Sequence, residues 1–146
     1  MGLEGRDPKI FRSFNINGLV TTDTTHRTSI IEYFTKVSGK KFLDIGGADG
    51  YEARALSIRS AALSISLEGK QSLHSQARSA AETLGQSNHM AIQGDARLLD
   101  SLDLGVFDVA LCFGFLYHLA NPYNFLKRVA RVTDGLLLLE THVAPE

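Results

Sequence analysis

Residues Lys41–Gly50 read Lys-Phe-Leu-Asp-Ile-Gly-Gly-Ala-Asp-Gly. An apolar run holding one carboxylate, Asp44, breaks into a glycine-rich turn, and a helical pattern starts at Tyr51. Such a run is a buried parallel strand, and the glycines let the backbone approach a ligand closely. The spacing decides the ligand class. A dinucleotide fingerprint, G-x-G-x-x-G, places its first and last glycines five positions apart. Here Gly46 and Gly50 are four apart, and Ala48 stands where a middle glycine would be. A nicotinamide dehydrogenase is therefore a distant reading.

At 146 residues, with 44% apolar and 21% charged side chains, the chain is expected to form one globular domain with a real core. A net charge of -1 gives no electrostatic reason to expect tight nucleic-acid binding. No apolar run approaches the roughly 20 residues that span a bilayer, and the first residues lack a signal-peptide apolar stretch. The only cysteine, Cys112, reads as core, so neither an internal disulfide nor a zinc-type cysteine spacing is present. His26, His74 and His89 have no metal-site spacing, and no metal is expected. A reducing cytoplasm is the natural setting.

Residues 1–23 lack clear periodicity and read as an arm or flap ahead of a domain over 24–146. Thr24 or Thr25 caps a helix with Ile30, Ile31, Phe34 and Val37 on one face, ending at Gly39. Strands are expected at Lys41–Ile45, Ala61–Leu67, His89–Gln93, Phe107–Phe113 and Gly135–Glu140. Helices are expected at about Tyr51–Arg59 and about Gln71–Leu84, the second with Leu73, Ala77, Ala80, Ala81 and Leu84 on one stripe. Asn121-Pro122 starts a further helix, presenting Phe125, Leu126, Val129 and Ala130 inward. This alternation predicts a Rossmann-like, open, mainly parallel sheet of about five strands with helices on both faces. Ligands in such sheets bind beyond the carboxyl ends of the strands. Glycines and acids recur there, at Gly46-Gly47, Glu68, Asp95 and Gly114.

The Asp44–Gly50 turn resembles the first motif of class I S-adenosylmethionine (SAM) methyltransferases. The segment Phe107–Pro122 resembles their fourth motif, where the acceptor meets the methyl group. Gly114-x-Leu-Tyr-His118, the Asn-Pro helix start and the Leu-Leu-Leu-Leu-Glu-Thr-His142 run resemble a branch that includes the tRNA uridine carboxymethyltransferases. The likeness covers roughly residues 40–142 and implies SAM as cofactor. It also implies a seven-stranded sheet, so the chain reads as lacking the usual last two strands. The edge of strand 135–140 would then be open to a second copy of the chain.

On this reading the cofactor side is Asp44, Gly46, Gly47, Gly50, Glu68, Asp95, Ala96, Phe113 and Gly114. Glu68 follows Gly50 by 18 residues, near the spacing at which an acid meets a ribose hydroxyl pair; otherwise it is a solvated turn residue. Asp95 can accept from an adenine amino group while the Ala96 amide donates to a ring nitrogen, or it can simply cap a turn. Asp44, inside an apolar run, needs partners such as loop amides or a ligand ammonium. Tyr117 and His118 sit where an acceptor would lie. His118 can take a proton from a nucleophile and Tyr117 can orient the acceptor or face the sulfonium; otherwise Tyr117 packs and His118 makes a surface hydrogen bond.

The reaction expected is methyl transfer to a small-molecule acceptor. Nucleic acid remains a possible acceptor that the net charge does not support, and no membrane role is expected. Two other readings stand beside it. One is a non-catalytic SAM- or nucleoside-binding module, or a truncated pseudoenzyme acting through a partner. The other is carboxymethyl transfer from a modified SAM, which needs a cation near the donor; Arg6, Arg12, Arg54 and Arg97 are the candidates.

Overall fold

The structure, a computed structural model, describes residues 14–16, 19–21 and 25–142. Within the expected arm, β1 (Phe14–Ile16) and β2 (Leu19–Thr21) pair antiparallel, with Phe14 opposite Thr21. The sequence signal for them is Asn17-Gly18 between the two strands, the pair favoured in two-residue hairpin loops. Residues 1–13, with Arg6 and Arg12, and the possible cap Thr24 lie outside the described residues.

The main body follows as α1 (Thr25–Phe34), β3 (Lys41–Ile45), α2 (Tyr51–Ile58), β4 (Leu63–Glu68), α3 (Gln71–Thr83) and β5 (His89–Gln93). A 3-10 segment at Ala96–Ser101 leads to β6 (Phe107–Phe113), and another at Leu116–His118 to α4 (Pro122–Arg131) and β7 (Thr133–Glu140). The five long strands form one parallel sheet in the order β5-β4-β3-β6-β7. This is the Rossmann-like arrangement expected. β3 lies in the middle, and Asp44 is aligned with Ser66 on one side and Leu111 on the other. Double pairing explains its nearly unbroken apolar run.

Alternate residues of the strands enter two cores. Leu43, Ile45, Leu67 and Cys112 pack with Leu99, Phe125 and Val129 on the α4 side. Phe42, Val109, Leu111 and Phe113 pack with Ile31, Val37 and Leu56 on the α1–α2 side. Burial first, and the nearby Asp44 carboxylate second, push the Cys112 thiol up to about 12, so the cysteine is a core group and no nucleophile. The expected apolar stripes are narrower than periodicity implied. On α3 only Ala77 and Ala81 are buried, with Leu84 exposed, and on α4 Ala130 faces solvent. Asn121 does cap α4, accepting from the Asn124 amide at 3.1 Å.

β7 starts two residues earlier than expected and carries a bulge. Thr133 pairs with Phe107 but Leu136 pairs with Val109. Gly135 stands in the extra position at φ +151, where a Cβ would lie 2.4 Å from the Asp108 carbonyl oxygen. The four leucines are not all buried: Leu138 is, Leu136 and Leu137 are half-buried, and Leu139 is exposed. Four consecutive leucines would suit a strand buried on both faces, but β7 is the edge strand of the sheet among the described residues.

α1 departs most from its apolar reading. Ile30 and Phe34 are exposed, and the buried face is Arg27, Thr28 and Ile31. The Arg27 guanidinium donates to Glu52 Oε1 at 3.2 Å, at the start of α2, and to Glu140 Oε1 and Oε2 at 2.6 and 3.0 Å, at the end of β7. It lies 5.4 Å from the centre of the Phe113 ring. Two acids from distant elements therefore hold α1 on the sheet.

Two tests follow from this packing. Removing a buried guanidinium strands its partner carboxylates, so Arg27→Met should lower stability by about 3 kcal/mol in urea denaturation. A change below about 0.5 kcal/mol would mean that the pair contributes nothing net. His89 is buried, with Nδ1 3.3 Å from Ser64 Oγ. Burial first, and the Arg54 charge second, hold its imidazole down to about 4. Above pH 6.5 the ring is neutral folded or unfolded. As pH falls toward 4 only the unfolded chain takes up the proton, so stability drains by at most about 3 kcal/mol across that window. His89→Asn should flatten the difference in unfolding free energy between pH 7.5 and pH 5; an equally steep loss in the variant would clear His89 of the role.

Candidate functional site

The turn after β3 is built by short-range packing. Gly46 and Gly47 both donate their amides to the Leu67 carbonyl, at 2.9 and 3.1 Å, tying the turn to the end of β4. A Cβ on Gly46, at φ +68, would lie 2.6 Å from Phe115 Cδ2, and one on Gly47 would lie 2.6 Å from Asp44 Oδ2. These glycines therefore make room first for a phenyl ring and a carboxylate of the protein itself. Gly50, at φ +72, precedes α2 and sits against Ser66 and Ala77. Ala48 is left-handed at φ +48, buried, and donates its amide to Glu68 Oε2 at 3.0 Å. The methyl is accommodated, and the alanine serves through its backbone.

Glu68 accepts a second backbone bond, from the Lys70 amide to Oε1 at 2.8 Å. Two amides thus fix the carboxylate at the exit of β4 and leave further lone pairs on both oxygens. Asp95 is occupied differently. Its carboxylate accepts from the Arg97 amide at 2.9 Å and from the Arg97 guanidinium at 2.7–3.0 Å. The cap reading is therefore realised, and the Arg97 guanidinium holds the Asp95 carboxyl below the usual range.

These exits surround a cavity of about 510 Å³, within the ordinary range for small-molecule sites of about 300–1,000 Å³. Its walls are Gly46 from the β3 turn, Leu67, Glu68 and Gly69 from β4, and Gln93, Gly94, Asp95, Ala96 and Arg97 from β5. Phe115, His118 and Leu119 close it from the β6 side. It lies where the strand order reverses between β3 and β6, the switch point of such sheets.

Of the residues singled out in sequence, Gly46, Glu68, Asp95, Ala96, Arg97 and His118 meet at this wall. Asp44, Gly47, Gly50, Phe113, Gly114 and Tyr117 are not part of it. Asp44, Gly47, Gly50 and Phe113 are buried around the turn and under β6. Gly114 donates its amide to the Glu140 carbonyl at 2.9 Å. Tyr117 has one ring face covered by His142, stacked at 4.1 Å and 4°, and tilts against His118 at 4.3 Å. Sequence reasoning missed Phe115, Leu119 and His142. The first two look like ordinary core residues in a string, and the third reaches Tyr117 only because β6 and β7 are neighbours.

Three comparisons bear on this geometry. Residues 43–139 match the methyltransferase domain family. Two tRNA U34 carboxymethyltransferases are similar over part of their length. One, from Desulforapulum autotrophicum, is 28% identical over 71% of this chain and 32% of its own length. The other, from Dichelobacter nodosus, is 31% identical over 73% of this chain and 34% of its own length. The chain thus spans about a third of these curated relatives. Among solved structures, the N-terminal domain of EvdMO1 with SAH bound superposes with a TM-score of 0.71 at 28% identity, covering 86% of this chain and 57% of that one. YcgJ from Bacillus subtilis gives 0.67 at 26%, covering 77% and 50%. With the family match over two thirds of its length and the parallel sheet of its fold, this chain belongs to the methyltransferase domain family, in class I of the SAM-dependent enzymes.

Proposed function

We propose that the chain is the SAM-binding part of a methyltransferase that alkylates an oxygen, nitrogen or carbon nucleophile. The observation that carries this reading is Glu68, fixed by the Ala48 and Lys70 amides at the wall of the strand-exit cavity. Its donor set fits the cofactor. A carboxylate held by two amides accepts from a vicinal diol, and the Ala96 amide stands at the next strand exit for a purine edge. SAH bound to the EvdMO1 domain supports the same ligand class. When bound, SAM supplies a methyl group on a sulfonium, a good leaving group, so positioning contributes most of the catalysis. His118, exposed at the cavity wall, takes the proton from a protic acceptor, and Tyr117 with His142 shapes the approach.

Carboxymethyl transfer to tRNA is the second reading, favoured by the activity named for the two relatives. It needs a cation for the extra carboxylate of the donor. Arg97 is the guanidinium in the described wall and is bound to Asp95. Arg54 is buried and donates to the Asp49 carbonyl. Within that wall, simple methyl transfer therefore fits better.

Titration calorimetry with SAH tests the cofactor assignment. Glu68→Ala should weaken binding by about 1–3 kcal/mol, the scale of lost charge-assisted hydrogen bonds. Unchanged affinity in a folded variant would remove Glu68 from the site, and no binding by the wild type would end the proposal. Incubation with SAM and candidate acceptors separates an enzyme from a binding module by the appearance of SAH.

We also infer that β7 pairs with a second copy of the chain. Its outer edge has no partner strand among the described residues, and Leu139 is exposed. Sedimentation over a wide concentration range should show reversible dimers, and a strict monomer at high concentration would refute this.

A further inference from the structure

A second cavity, of about 380 Å³, adjoins the first and shares Arg97, His118 and Leu119 with it. Its remaining walls are Ala120 and Asn121 before α4 and Asn124, Phe125 and Arg128 on that helix. A hydrophobic floor therefore carries a rim of two guanidinium groups and two carboxamides. Nothing in the cofactor reading uses this chamber.

Its charge is unbalanced. The Asp100 carboxylate is shared by two guanidinium groups, accepting from Arg128 and from Arg131, the latter at 2.7 Å. One carboxylate offsets one of those cations and leaves the other. Arg97 is matched by Asp95 alone, and Lys127, on the same helix, lies 4.4 Å from the centre of the Tyr123 ring. Arg97, Arg128 and Arg131 against Asp95 and Asp100 leave an excess of one positive charge beside the chamber, in a chain whose net charge is -1. The carboxamide oxygen of Asn121 accepts from the Asn124 amide, and its NH2 group adds two N–H donors. The rim thus offers donors and positive charge in a partly enclosed space, and guanidinium groups bind phosphate through paired N–H bonds.

We propose that this chamber is a phosphate subsite, and that the methyl acceptor carries a phosphate group bound there by Arg128 with Asn121 and Asn124. The inference rests on the methyltransferase reading for the word acceptor, while phosphate binding itself is measurable without it. A phosphomonoester on a small molecule and a phosphodiester in RNA present the same chemistry.

The test is calorimetry on the full chain, with and without SAH, using inorganic phosphate, uridine 5′-monophosphate and a short oligouridylate lacking terminal phosphates. Saturable binding of at least one probe is expected. Arg128→Gln should weaken it at least about tenfold, the order of a lost charge-assisted contact. Lys127→Gln removes a charge of the same helix that does not line the chamber and should stay within about twofold. Asn124→Asp puts a carboxylate in the chamber without touching Asp100 and should abolish binding. SAH affinity should be unchanged in all three variants. Preference for the monophosphate assigns a small phosphorylated acceptor; preference for the oligouridylate assigns a polynucleotide. Absence of saturable binding, or equal weakening by Arg128→Gln and Lys127→Gln, overturns the subsite. Failure of the wild type to bind SAH, with phosphate binding intact, overturns the cofactor reading instead.

Discussion

One carbonyl organises the site. Leu67, next to last in β4, accepts two consecutive amides, Gly46 and Gly47, from the turn that follows β3. Without that double bond the turn would have no fixed relation to the neighbouring strand. With it, Ala48 falls within reach of Glu68, and the acid is oriented before any ligand arrives. The left-handed geometry at Ala48 costs roughly 1 kcal/mol relative to a glycine, and the buried bond to Glu68 offsets it. A preset carboxylate loses less conformational freedom on binding than a mobile one.

The sheet was largely legible in the string because its causes are local. The β3 run, the break at Gly46 and the Asn121-Pro122 cap each depend on residues within a few positions. The centre of β6 and the position of β5 follow from the same kind of pattern. The boundary of β7 was less legible, since its bulge arises from contact between Gly135 and Asp108, a pairing no periodicity reveals.

The site was legible in its acids and less so in its walls. Glu68 and Asp95 announced themselves by standing at strand ends, but what each carboxylate accepts depends on neighbours in space. Asp95 turned toward Arg97, two residues on, a contact available to any Asp-x-Arg turn. Tyr117 and His142, 25 positions apart, stack because two parallel strands end side by side. Arg27 was invisible for the same reason. On a helix whose exposed face carries Ile30, Tyr33 and Phe34, an arginine reads as the solvent side until its distant partners are known.

The Arg27 clasp has a consequence for the order of assembly. Its partner Glu140 lies 113 residues along the chain, at the end of the last described strand. During synthesis the helix emerges first, and for most of translation its guanidinium has no Glu140 to meet. Bringing together ends so far apart costs loop entropy that intervening structure must first reduce. The central strands, whose partners are closer in sequence, are therefore placed to associate earlier. Arg27 can pair with Glu52 early, while its bonds to Glu140 form only once β7 has joined the sheet.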